Sequence, residues 1–161
     1  MPFQEAAIPM LEPTFVKAEM MALQQHFLEK RDYVLKRLGD MGFIFKHIPD
    51  STFYIWLDLQ HLPERIQNGL GFFEECLKER VIVVPGIFFD LNPSSRRDLF
   101  DSPCHHRCRI SYGPKWETLI KGMDGIERVL RNHHALPTDK APADEGEECE
   151  SKVEIVVTES D

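Results

Sequence analysis

The heptapeptide RCRISYG that begins at Arg107 constrains the fold of this chain more than any other segment. Alternate side chains of a strand point to opposite faces of a sheet. Cys108, Ile110 and Tyr112 would therefore share a core-facing side, whereas Arg107 and Arg109 would lie on the other. A guanidinium held on a fixed strand is a forked donor for a carboxylate or phosphate. The same pattern also fits a surface salt bridge, and the residues alone leave both interpretations open.

Apolar residues spaced three or four apart predict three helices. The first covers about residues 15–41, with Thr14 as its N-cap and Gly42 in the left-handed conformation after it. Its apolar stripe comprises Val16, Met20, Leu23, Phe27, Val34, Leu38 and Met41. The second helix covers about residues 68–80, and its stripe comprises Ile66, Leu70, Phe73 and Leu77. The third covers about residues 115–132, with Gly122 and Gly125 away from a stripe of Trp116, Leu119, Met123, Ile126 and Leu130.

Two further segments predict strands. In STFYIWLDL, residues 51–59, one face would carry Phe53, Ile55, Leu57 and Leu59. The aromatic residues on its second face indicate that this face is covered as well. The apolar run at residues 81–84 predicts a short buried strand that stops at Pro85-Gly86. Residues 90–104 form a polar loop.

The order of these elements predicts a two-layer α+β domain, with about three strands packed by three helices on one side. A chain of 161 residues suits one such domain. Residues 1–13 contain three prolines and no apolar period, so we expect an extended lead-in. Residues 135–161 are acidic and rich in proline, so we expect a disordered tail. The alternative for residues 153–157 of that tail is an added strand that pairs with the edge of the sheet.

Composition excludes several classes of function. The net charge of −8 argues against nonspecific binding to nucleic acid or anionic membranes. No apolar run is long enough to span a membrane, no secretory signal is recognisable, and the four cysteines fit no disulfide framework. A cytoplasmic location is therefore expected. The segment Cys104-His105-His106-Arg107-Cys108 resembles part of a zinc site, but half of the ligands are missing, so no metal-binding residue is assigned.

Several segments of the chain, taken together with their order, resemble the C-terminal domain of class I/II aminotransferases. These are pyridoxal-phosphate enzymes of fold type I. KRDYVLKRLGDMGF resembles the family's long helix before a glycine turn, and STFYIWLDL resembles the first strand of its small domain. VIVVPGIFF, RISYG and the amphipathic helix that follows complete the resemblance over about residues 5–132. The resemblance implies that Arg109 binds the α-carboxylate of an amino-acid or 2-oxo-acid substrate. It also implies a homodimer with pyridoxal 5′-phosphate as the cofactor of the complete enzyme.

The chain departs from that family because no segment matches the large domain. In the family, the cofactor lysine and most phosphate-binding groups lie upstream of every segment that matches here. We therefore expect a truncated piece: residues 1–13 as the lead-in from a missing large domain, 14–134 as the aminotransferase-like C-terminal domain and 135–161 as the tail. No catalytic or cofactor-binding residue is assigned, and we expect the chain alone to be inactive and without cofactor. The alternative hypothesis is a non-catalytic protein-interaction module.

Overall fold

The computed structural model describes residues 2–45, 48–91 and 101–137. Within them, helix α1 (Pro2–Ala7) and a 3-10 turn (Ile8–Leu11) precede the long helix α2 (Pro13–Asp40). Strand β1 (Tyr54–Asp58), helix α3 (Gly69–Lys78) and strand β2 (Val84–Pro85) follow. A second 3-10 turn (Gly86–Phe89), strand β3 (Arg107–Ser111) and helix α4 (Trp116–Asn132) complete the described part of the chain.

The three strands form an antiparallel sheet in the order β1-β3-β2. Ile55 and Leu57 of β1 lie opposite Ile110 and Cys108 of β3, and all four side chains are buried. They join one hydrophobic core with residues of α2, α3 and α4, including Val34, Leu38, Phe72, Cys76, Met123, Ile126 and Leu130. The predicted two-layer α+β fold and the core face of β3 are therefore confirmed.

The three long helices end in the same backbone motif. In a Schellman motif, the residue after the helix adopts a left-handed conformation while two N–H groups bond back to the last carbonyls. Gly42, Arg80 and His134 occupy this position with φ of 94°, 60° and 52°. Their N–H groups donate to Gly39, Leu77 and Arg131, and those of the next residues donate to Leu38, Cys76 and Leu130. The predicted end of the first helix at Gly42 agrees with this, whereas the sequence gives no signal for the two non-glycine ends.

The helix predictions require several corrections. Residues 2–11 are helical rather than extended. The cap of α2 is Glu12, whose carboxylate accepts from the N–H of Phe15 at 3.0 Å, and the predicted cap Thr14 lies inside the helix, donating to Glu12. Leu77 is 50% exposed because α3 buries Gly69, Phe72 and Cys76, which is a face displaced from the predicted stripe.

Two further differences concern the apolar stripes of α2 and α4. The first half of α2 lies outside the core, since Met20 and Leu23 are more than half exposed and full burial begins at Lys30. In α4, Gly125 is buried on the core-facing side, although the pattern predicts that it lies away from the stripe. A Cβ atom at Gly125 would lie 2.4 Å from Val81, so the missing side chain leaves room for that residue.

The strand predictions hold for position but not in every detail. The apolar run at residues 81–84 pairs with β3 only from Val84 onward, and Ile82 is 79% exposed. The second face of β1 is less covered than predicted, because Trp56 remains 45% exposed. At the end of the described chain Ala135 and Leu136 are buried, so the core extends past the predicted start of the tail. The remainder of that tail, including residues 153–157, lies outside the described residues, as does most of the 90–104 loop.

Candidate functional site

The outer face of the sheet holds the predicted substrate-binding arginine. β3 is the central strand, with Trp56 of β1 opposite Arg109 on one side and Val84 of β2 on the other. The core-facing residues before and after Arg109, Cys108 and Ile110, are 0% and 4% exposed. Their packing fixes the backbone that carries Arg109. Arg109 therefore projects from a firmly held strand, as the alternation of the sequence predicts.

Close backbone contact at Gly86 places an aromatic residue beside this arginine. A Cβ at Gly86 would lie 2.4 Å from the carbonyl oxygen of Cys104 and 2.7 Å from that of Arg107, so only glycine allows this approach. The 3-10 turn that Gly86 begins carries Phe89 to the outer face, where its ring centroid lies 5.2 Å from that of Trp56. The turn predicted at Pro85-Gly86 thus has a direct role in shaping the site.

The guanidinium of Arg109 stacks on aromatic rings. Its central carbon lies 4.0 Å from the ring centroid of Tyr54 and 4.3 Å from that of Phe89. Such cation–π contacts restrain the side chain through its flat faces. The N–H groups lie at the edges of the guanidinium plane, so stacking leaves them able to donate to a planar acceptor. Among the described residues, no carboxylate lies within ion-pair distance of Arg109.

Arg107 has a different environment on the same face. Its guanidinium forms a salt bridge with Asp58, the residue directly opposite on β1, at 3.0 Å. The charge of Arg107, the arginine nearer the loop, is therefore neutralised by an acidic residue of the neighbouring strand. Within the described residues, the salt-bridge interpretation applies to Arg107, which pairs with Asp58.

The segment at residues 104–108 is not arranged as a metal site. Among the residues that the structure describes, no group of three or more histidine, cysteine or acidic side chains is placed to hold a metal ion. Cys108 lies in the core, where burial raises the pKa of its thiol, and His106 makes a 2.7 Å hydrogen bond with the carbonyl of Gln67. Burial also raises the pKa of Cys76 to about 12, so neither buried thiol is a ready nucleophile.

The buried lysine of the described residues is engaged in hydrogen bonds to the backbone. The cofactor requires a lysine amine free to form a Schiff base. Lys30 is the buried lysine of the described chain, but its Nζ donates to the carbonyl of Pro114 at 2.6 Å and to that of Gly113 at 3.4 Å. Lys30 therefore joins α2 to the turn after β3, and its role is structural.

The aromatic surroundings of Arg109 are only partly visible in the sequence. Alternation places Tyr54 and Trp56 on the correct face of β1, but their proximity to Arg109 depends on the pairing of β1 with β3. Phe89 is twenty residues away in sequence, and nothing in its own segment indicates this contact. Lys30 gives no signal, because a lysine within an amphipathic pattern is expected on the solvent side.

Comparisons with known proteins show the family to which the chain belongs. The family profile of aminotransferase class I and II matches residues 2–120, and the chain belongs to that family. A bifunctional aspartate aminotransferase and glutamate/aspartate-prephenate aminotransferase of Petunia hybrida is 28% identical over 136 residues, which are 79% of this chain and 26% of that enzyme. Aromatic-amino-acid aminotransferase 2 of Thermococcus litoralis is 31% identical over 113 residues, which are 68% of this chain and 24% of that enzyme.

Solved structures give the same result for the fold. The aromatic aminotransferase of Pyrococcus horikoshii superposes with a TM-score of 0.58 and 28% identity, over 78% of this chain and 29% of that one. A Thermus thermophilus aspartate aminotransferase variant superposes with a TM-score of 0.59 at 23% identity, over 78% of this chain and 29% of the other, which bears on the fold alone. The chain spans about a quarter of the length of the curated relatives it matches. Among the described residues, each helix is too short or too polar to span a bilayer.

Proposed function

We propose that this chain supplies the small-domain part of an aminotransferase substrate site, in which Arg109 binds the substrate α-carboxylate. The main support is the contrast between two arginines on one strand. Arg107 is paired with Asp58, whereas Arg109 lies against Tyr54 and Phe89 without a described carboxylate partner. An unneutralised, restrained guanidinium is suited to an anionic ligand.

The chemistry of transamination agrees with such a group. An amino acid and the 2-oxo acid derived from it share the α-carboxylate, so one arginine serves both halves of the reaction. Two parallel N–H to oxygen bonds fix the orientation of the substrate Cα as well as its position. The aromatic rings exclude water from the faces of the guanidinium, and charge-assisted hydrogen bonds are stronger where water is excluded.

The remaining parts of the reaction are assigned to the three quarters of the family enzymes that this chain does not match. In the complete enzymes of the family, pyridoxal phosphate supplies the electron sink for chemistry at Cα. We propose that such an enzyme is a cytoplasmic homodimer and that the present chain alone binds no cofactor and has no transaminase activity. The engaged amine of Lys30 supports the proposal for the isolated chain.

A chimeric enzyme tests the role of Arg109. In the chimera, this chain replaces the matching quarter of the Thermococcus litoralis aminotransferase. Arg109→Lys keeps the charge but removes the fork, so we expect kcat/KM for the amino acid to fall by well over tenfold. Each charge-assisted hydrogen bond that is lost corresponds to roughly 1.5–3 kcal/mol of binding free energy.

Arg107→Lys is the matched control, since it makes the same chemical change two residues away on the same face. We expect it to alter kcat/KM less than twofold, because Asp58 already neutralises Arg107. Both variants should keep the thermal stability of the chimera, since neither side chain belongs to the core. An Arg109→Lys chimera that turns over its amino acid as fast as the parent would remove the carboxylate assignment.

The second candidate function is a protein-interaction module, and the exposed apolar residues of α2 favour it. Met20, Met21 and Leu23 are each more than half exposed, which is unusual for large apolar side chains in one segment. The two candidates differ in a direct way. A chimera that binds pyridoxal phosphate and transaminates supports the first, whereas a folded chimera that binds the cofactor and never transaminates supports the second.

A further inference from the structure

A cavity of about 610 Å³ opens where β2 and β3 separate. Continuing the register of Val84 with Arg109 would place Val83 opposite Ile110 and Ile82 opposite Ser111, but these pairs do not form. The four residues line the cavity instead. The gap in the sheet and the cavity are therefore one feature.

The backbone before β2 explains why the strands separate. The left-handed turn at Arg80 ends α3 and directs the chain towards α4. Val81 then packs against α4 at Gly125, where a Cβ would lie only 2.4 Å from its methyl group. The anchoring of Val81 on α4 holds this segment away from the edge of β3 and keeps the space open.

The inner wall of this cavity is apolar. It is formed by Val81, Val83, Ile110, Leu119, Met123 and Ile126. Its size lies within the range of small-molecule sites, which is roughly 300–1,000 Å³. A wall of this kind favours an aliphatic or aromatic body of moderate size.

Charged residues surround the opening, and their pairing leaves an excess of positive charge. Arg128 donates to Glu79 at 2.7 Å, and Asp124 accepts from Arg37 at 2.9 Å. Arg80 and Lys121 also line the cavity, and no ion pair joins either of them to a described carboxylate. After pairing, the two acids are neutralised and two cations remain.

We propose that this cavity binds a small amphipathic carboxylate, with the apolar body against α4 and the carboxylate between Arg80 and Lys121. The position of Arg80 supports a role for its charge. A Schellman turn favours glycine at this position, and an arginine there adopts a conformation that non-glycine residues rarely take. The proposal does not depend on the aminotransferase function.

Octanoate, octan-1-ol and octylammonium test the proposal, because they share one apolar body and differ in the charge of the head group. Titration of the full chain, followed by the methyl NMR signals of Ile110 and Ile126, should give one saturable octanoate site with a Kd below ~1 mM. We expect octan-1-ol to bind at least fivefold more weakly and octylammonium more weakly still. Equal or tighter binding of octylammonium would overturn the proposed charge recognition.

Gly122→Leu fills the cavity and is the central variant. Gly122 lines the cavity, and a Cβ built there meets no atom within 4 Å, so the leucine can enter the open space. We expect at least tenfold weaker binding of both octanoate and octan-1-ol. Gly39→Leu is the matched control, because Gly39 is also a helical glycine with open space at its Cβ but does not line the cavity. Both changes replace glycine by a better helix former, so neither should unfold the chain.

The double variant Arg80→Gly, Lys121→Gln separates the charge from the cavity. Glycine is compatible with the left-handed turn, so this variant should remain folded while it removes both cations. Octanoate binding should weaken about tenfold, whereas that of octan-1-ol should stay within twofold of the parent. Parent-like octanoate binding by either this variant or Gly122→Leu would overturn the site, as would the absence of saturable binding to the parent.

Discussion

At the scale of single residues, neighbouring partners decide what each charged side chain does. Arg107 and Arg109 differ by two positions on one strand, yet one forms a salt bridge and the other stacks on two aromatic rings. The Nζ of Lys30 donates to two backbone carbonyls, and the residue is 2% exposed. Lys30 and Arg107 therefore have structural partners, whereas Arg109 has no carboxylate partner among the described residues.

The structural role of Lys30 gives a prediction for stability. Lys30→Met keeps most of the length of the side chain but removes the donor to the carbonyls of Gly113 and Pro114. We expect the free energy of unfolding to fall by about 1.5–3 kcal/mol, because a hydrogen bond from a charged group is lost. Urea denaturation measures the change. Lys36→Met on the exposed side of α2 is the control, and equal effects of the two substitutions would refute the role.

At the scale of elements, features set by a local pattern could be predicted from the sequence, whereas features set by packing between elements could not. The core face of β3 followed from strict alternation, which is a local property. The buried face of α3 did not, because its first buried residue is Gly69, which carries no apolar side chain. The 2.6 Å distance from a Cβ at Gly69 to the carbonyl of Arg107 appears only once α3 and β3 are packed together. The stacking of Phe89 on Arg109 likewise depends on a turn and a strand distant in sequence.

The left-handed residues that end the helices give a prediction for stability. Introducing glycine and removing glycine at such a position should change the stability of the fold in opposite directions. His134 has a φ of 52° and an exposed side chain, so His134→Gly relieves a left-handed conformation and should stabilise the fold by up to about 1 kcal/mol. Gly42→Ala introduces the same penalty and should destabilise it by about 1–2 kcal/mol, with Pro137 only 3.1 Å from the new Cβ. Thermal unfolding of the two variants compares them. Changes of the same sign would show that backbone conformation does not control these ends.

Glu75 predicts a pH dependence for the attachment of α3. Its carboxylate accepts from Lys78 at 2.7 Å and from Arg65 at 3.1 Å, and it lies 3.5 Å from His133 at the end of α4. The hydrogen bond from Lys78 is the main reason that the pKa of Glu75 is lowered from 4.5 to about 2. An acid with a lowered pKa stabilises the fold fully above the pKa of the unfolded chain, and this stabilisation is lost as the pH falls to the folded value.

The corresponding measurement compares Glu75→Gln with the parent across pH. The variant should unfold more easily at pH 7, and the difference should shrink between about pH 4.5 and pH 2 until the two proteins coincide. Glu74→Gln is the control, since its carboxylate is 60% exposed and 3.5 Å from Arg65. A difference between Glu75→Gln and the parent that is independent of pH would contradict the assignment.

At the scale of the whole molecule, the two halves of α2 differ in how far they are buried. The second half of the helix, from Lys30, packs on the core, whereas the first half leaves its apolar residues in solvent. A pattern of apolar residues cannot tell a core stripe from an interface stripe, so the sequence predicted one continuous face. The family match covers this region, while the chain spans about a quarter of its relatives' length.

The exposed apolar residues of α2 predict self-association of the isolated chain. Met20 and Leu23 are 55% and 52% exposed, and exposed apolar surface drives association in water. Sedimentation velocity at increasing concentration should therefore reveal oligomers for the parent, and Met20→Glu, Leu23→Glu should shift the chain towards the monomer. The control is Ile44→Glu, Leu91→Glu, which adds the same charge at two residues that are 85% and 95% exposed elsewhere. If both variants become monomeric, net charge is responsible, and if the parent is a monomer throughout, this surface does not drive association.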